Sequence, residues 1–208
     1  MKKSYSQFSL LSNKLLYGTK EKKGFLDYLL PKYRYLRIEV PYYEYLRGEV
    51  FVEDIKDLFE EAPQNLTLYH LITLLYFDFL EQVKKGAKYD QLCSFLISSK
   101  KKFLQRPMIE KRVLKQVTTN LFSFEQREEE MEVTSEEKQA EITLRIKESE
   151  IYRGEVFLHD ISPYLMDEEL TVEDLLVILF MDFLQRIKEK GNSSQTMKAI
   201  LLNYEDYF

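Results

Sequence analysis

Two aspartates stand at matching places in two apolar stretches of this 208-residue chain, Asp78 within residues 66–84 and Asp182 within residues 170–188. A carboxylate set in an apolar helix can bind a cation, move a proton, or be held by a basic neighbour. General acid–base work needs two carboxylates in one pocket with pKa values pushed apart. Glu49 and Glu155 are the available second carboxylates, which gives an enzyme reading centred on Asp78 or Asp182. The competing reading pairs each aspartate with an arginine. Arg47 and Arg153 recur together with the aspartates, and Arg186 lies four residues after Asp182. Charges inside an apolar setting are kept when paired, so the ion-pair reading is preferred and no catalytic residue is assigned.

Other chemistry-bearing residues are sparse. His70 and His159 are the only histidines, and no His-x-x-x-His or Cys-x-x-Cys spacing exists, so neither a metal nor a cofactor is expected. The single cysteine, Cys93, lies in an apolar run and reads as a small buried thiol. Residues 18–24 lack the Gly-Lys-Ser/Thr ending of a phosphate loop. Lys32, Arg34 and Arg37 interleave with tyrosines, and Lys100, Lys101, Lys102 and Arg106 form a second basic group. Lysine and arginine neutralise phosphates and aromatic faces stack on bases, so these are the candidate nucleic-acid contacts. Tyr42, Tyr43 and Tyr45 are the candidate protein interface, since tyrosine is enriched there.

The elements that must carry these residues recur. The run from Arg47 to Ile55 returns from Arg153 to Ile161 with seven of nine residues identical, 106 positions on. Residues 66–84 return at 170–188 with eight of nineteen identical, 104 positions on. Two matching blocks in one order point to an internal duplication. Leu36-Arg37-Ile38 and Leu144-Arg145-Ile146 alternate, and each is expected in a half-buried strand. Residues 45–52 and 151–158 are expected as second strands closing a hairpin, with Gly48 and Gly154 at bulges or close backbone approaches. Asp54 and Asp160 are read as helix N-caps, with Pro163 in a first turn. Thr67 and Thr171 are read as caps of a long, largely buried helix, with Asp174 but not His70 completing the box. A third helix is expected over 89–98 and again over 196–203.

The fold class that follows is α+β and helix-rich, two tandem copies of a small β-hairpin plus helices unit. The divisions are a basic N-terminal arm (1–34), repeat unit 1 (35–105), a helical connector with an acidic linker (106–140), and repeat unit 2 (141–208). The shared structural set is Arg47, Gly48, Asp54, Asp78, Arg153, Gly154, Asp160 and Asp182. Residues 1–115 carry a net charge of +7 and the rest −12, which fits either an anionic partner or attraction between the halves. No leader-like or membrane-spanning apolar run is seen, so a cytoplasmic protein is expected. The expected function is a non-enzymatic protein-interaction or regulatory role, with nucleic-acid regulation by the basic first half as the alternative. A protein partner is expected, nucleic acid is the second candidate, and no membrane is.

Overall fold

The computed structural model describes residues 10–11, 15, 32–105, 108–118, 121–130, 138–165 and 169–208, with backbone only over 108–130. Its order is β1 (Tyr33–Pro41), α1 (Tyr42–Leu58), α2 (Leu68–Lys84), α3 (Tyr89–Phe103), β2 (Met108–Thr118), β3 (Leu121–Glu130), β4 (Gln139–Lys147), α4 (Glu148–Ile161), a 3-10 turn (Ser162–Tyr164), α5 (Val172–Lys190) and α6 (Ser194–Tyr207). The fold is α+β and helix-rich. Among the described residues no helix is long and apolar enough to cross a membrane.

Strand alternation is where the sequence reading places it, but the pairing is not. β1 pairs with β4, antiparallel, with Arg37 opposite Thr143 at the centre. Leu36, Ile38 and Val40 face inward beside Ile142, Leu144 and Ile146, all six buried. Neither expected hairpin forms, because the expected second strands are helical. Residues 45–52 belong to α1 and 151–158 to α4. Val50, Phe51 and Val52 are strand-formers by propensity, yet the buried positions Glu44, Gly48, Phe51 and Ile55 follow the helical period. Burial of that stripe overrides the local preference. Asp54 and Asp160 therefore lie inside helices and cap nothing, while Pro163 sits at the start of the 3-10 turn. The connector also differs from expectation: β2 and β3 form an antiparallel pair where a helix was expected.

β1 packs on α5, and β4 on α2. α2 and α5 cross each other at the centre, α3 lies on α5, and α6 lies on α2. Each long helix thus finds its strand and its third helix in the opposite half. Matched contacts recur across this arrangement. Tyr42 N–H donates to the Lys138 carbonyl (2.8 Å), and Glu148 N–H to the Lys32 carbonyl (2.7 Å). The rings of Phe51 and Phe183 meet edge to face at 5.1 Å, and those of Phe157 and Phe79 at 5.3 Å. Phe79 and Phe183 therefore occupy like surroundings.

The glycines sit where helices approach. A Cβ on Gly48 would lie 2.7 Å from Leu68 and 2.9 Å from Phe180; on Gly154 it would lie 2.2 Å from the Tyr76 hydroxyl and 3.3 Å from Val172. Neither is a bulge, since both are helical. Both mark a close backbone approach.

The long helices begin as expected. Asp174 Oδ2 accepts the Thr171 N–H (2.9 Å), and Thr171 Oγ1 accepts the Asp174 N–H (3.1 Å). His70 also completes a box, against expectation, because its Nδ1 accepts the Thr67 N–H at 3.2 Å. An imidazole does this only when that nitrogen is unprotonated. Burial lowers the His70 pKa from its ordinary value, with the Tyr204 and Phe208 rings packed 5.2 and 4.7 Å away. A lowered folded-state pKa means that the unfolded chain binds the proton more readily. The stability that His70 supplies is complete above pH about 6.5 and is lost as pH falls through the lowered value. The wild type should therefore lose melting temperature relative to His70→Gln between pH 7 and pH 5. Parallel melting curves over that range would show that the neutral ring contributes nothing.

Candidate functional site

The crossing of α2 and α5 brings the two aspartates to one hollow of about 200 Å3. Its walls are matched pairs, Leu75 with Leu179, Phe79 with Phe183, Asp78 with Asp182 and Gln82 with Arg186, and Leu92 and Phe95 of α3 complete it. Asp182 faces the Arg186 guanidinium at 2.6 Å, and Asp78 accepts from the Gln82 amide at 2.7 Å. Each partner lies one helical turn along its own helix, a spacing at which side chains meet. Arg47 and Arg153 go elsewhere, to Glu44 (3.7 Å) and Glu150 (3.2 Å). Neither Glu49 nor Glu155 reaches the hollow.

Glu155 is used differently. It is buried on α4, and its two oxygens accept the N–H groups of Leu10 (3.0 Å) and Leu11 (2.8 Å). Burial raises its pKa, and the two N–H bonds oppose that by favouring the charged form. Leu10 is only 4% exposed, so this contact fastens an early part of the chain to α4.

A larger groove of about 480 Å3 runs between α2, the start of α3, and α4. Leu80, Val83, Tyr89, Tyr152, Val156 and Phe157 line it, with Lys84, Arg153 and Asp160 at its rim. Lys84 turns to Glu81 (3.0 Å) and Arg153 to Glu150 (3.2 Å). Among the described residues no ion-pair contact joins α2 to α4, although the Lys84 hydrogen bond and, from across the groove, Arg153 lower the Glu81 pKa. The matching place in the other half is built otherwise. There Lys188 of α5 bonds Glu44 of α1, Arg47 flanks the same carboxylate, and the Asn192 amide holds Asp54 at 2.6 Å. Equivalent positions thus tie one helix pair together and leave the other pair open. The sequence reading named Arg153 and Asp160 but missed the groove. Its signal was the one-turn spacing of Tyr152 and Val156 on α4, hidden by the strand assignment.

Of the tyrosines read as an interface, Tyr43 is 61% exposed, while Tyr42 stacks on Tyr45 at 6.0 Å. The basic residues are scattered. Arg34 pairs with Glu148 (2.9 Å) and Arg37 with Glu141 (3.5 Å). Lys100 donates to the Glu169 carbonyl (2.8 Å), Lys102 to Gln185, and Lys101 is exposed. Lys32 is exposed just before β1, and Arg106 and residues 18–24 lie outside the described residues. Cys93 is buried, and burial raises its thiol pKa, which keeps it protonated. Among the described residues no group of three His, Cys, Asp or Glu side chains could hold a metal ion. Compared with protein-family models, with curated proteins and with solved structures, the chain matches none.

Proposed function

We propose that this chain is a non-enzymatic interaction protein, built by internal duplication of a strand followed by three helices, which receives an amphipathic helix of a protein partner in the groove between α2 and α4. The duplication is supported by the shared order of elements and by the paired contacts of Phe51, Phe79, Phe157 and Phe183. Fused in one chain, the two copies meet as the subunits of a two-fold dimer would.

One observation carries the binding reading: the groove stays open at the place where Lys188 and Glu44 join the equivalent helices. Its apolar lining and its volume suit a row of partner side chains. Lys84, Arg153 and Asp160 on the rim offer charges of both signs to residues flanking that row. The present contacts of Lys84 and Arg153 are exposed surface ion pairs, which exchange at little cost.

The test is Val156→Asp in the full chain. Val156 is 43% exposed and lines the groove, so the variant should fold and melt like wild type. A partner captured by the wild type and cross-linked to α4 should bind the variant at least tenfold more weakly, about 1.4 kcal/mol. Capture at unchanged affinity, or cross-links confined to other helices, would remove the groove from consideration.

A further inference from the structure

The backbone contact of Leu10 with Glu155 is not repeated at the matching Glu49 among the described residues. α4 and α1 share the run Arg-Gly-Glu-Val-Phe, so Glu49 stands on α1 where Glu155 stands on α4. On α4 the carboxylate takes two successive backbone N–H groups of Leu10 and Leu11, both in helical conformation, and buries the leucine beside it. The Tyr152 hydroxyl approaches the same segment, 3.5 Å from the Leu10 carbonyl.

On α1 the position of Tyr152 is filled by Leu46, which is 42% exposed. Val50, the residue after Glu49, is 59% exposed. No backbone N–H reaches Glu49 among the described residues. Its charge, burial and a hydrogen bond donated to it raise the phenol pKa of Tyr45, so an incoming helix would exchange that neighbour for its own N–H groups. A carboxylate between two exposed apolar side chains matches the first turn of a helix. There the backbone N–H groups lack acceptors, carry partial positive charge, and bond well to an anion.

We propose that Leu46, Glu49 and Val50 form a second docking seat, which accepts from a protein partner a helix beginning with leucine. Two first-turn N–H groups bind the Glu49 carboxylate, as those of Leu10 and Leu11 bind Glu155, and the leucine covers Leu46 and Val50. This inference rests on the interaction reading but uses a surface separate from the groove.

The probe is a fluorescent synthetic peptide of residues 4–17 added to the full-length protein, with binding read by anisotropy. Saturable binding should weaken at least tenfold in Glu49→Gln, disappear in Leu46→Asp, and persist in Glu155→Gln. Val156→Asp should leave it unchanged, which separates this seat from the groove. No binding by the wild type would overturn the proposal. So would binding that is lost in Glu155→Gln and kept in Glu49→Gln, since the peptide would then only be exchanging with the chain's own segment. If the peptide fails while Val156→Asp still weakens partner capture, the groove stands and the second seat falls.

Discussion

Fragments 1–105 and 138–208, produced separately, should each lack a cooperative thermal transition, and mixing them should restore one. The reason lies in how the halves are interleaved. β1 has its hydrogen-bonded neighbour in β4 and, among the described residues, none in its own half. A lone strand leaves its backbone groups unpaired, and the six inward side chains of the two strands bury one another against α2 and α5. α2 is worse placed still. In its own half it packs on α1, while β4, α4, α5 and α6, its other main neighbours, all lie in the second half. The Tyr69 and Tyr76 hydroxyls donate to the carbonyls of Arg145 (2.6 Å) and Glu150 (2.8 Å), also across the divide. Isolated helices of this length are marginal without packing. Circular dichroism of each fragment and of the equimolar mixture checks this, and a cooperative melt of either fragment as a monomer would refute the interleaved reading. The expectation of self-contained units over 35–105 and 141–208 is best tested by this same experiment.

Gly154→Ala should cost about 2–4 kcal/mol, although alanine is the better helix former by about 1 kcal/mol. The new Cβ would fall 2.2 Å from the Tyr76 hydroxyl oxygen. Tyr76 cannot retreat, because its ring is fully buried and its hydroxyl is committed to the Glu150 carbonyl. Burial, with neighbouring glutamate charges, raises the pKa of this phenol and keeps it a donor. Gly48→Ala should also cost about 1–3 kcal/mol, since its Cβ would meet a Leu68 methyl at 2.7 Å and the buried Phe180 ring at 2.9 Å, both less severe than 2.2 Å. The equivalent of Tyr76 on that side is Phe180, which has no hydroxyl. Adding Tyr76→Phe to Gly154→Ala should therefore recover part of the loss, because the nearest remaining atoms, the ring carbon and a Val172 methyl, both lie at 3.3 Å. Urea unfolding of the four proteins measures these differences. A Gly154→Ala variant as stable as wild type would mean that the helices do not approach this closely.

The sequence by itself determined where the two long helices begin and the faces they bury, though not the caps read at Asp54 and Asp160. Thr67 and Thr171 begin helices because their side chains and those at N3 satisfy free N–H groups within four residues. The inward faces of β1 and β4 were equally legible from alternation. Their equivalence was not: the buried sets Leu36, Ile38, Val40 and Ile142, Leu144, Ile146 match at 106 positions, not the 108 of the sequence alignment. A two-residue slip leaves every side chain on its face, so a period of two cannot detect it.

Only the tertiary structure decided which half each element packs on, and therefore which surfaces are left open. The helical state of α1 and α4 was hidden because their local propensity and their burial period disagree, and burial won. Lys84 and Lys188 are the same residue in matching places, yet one faces Glu81 on its own helix while the other crosses to Glu44. Residue type sets what a side chain can bond. Which bond it makes depends on distances between helices far apart in sequence, and those distances settle where the groove lies.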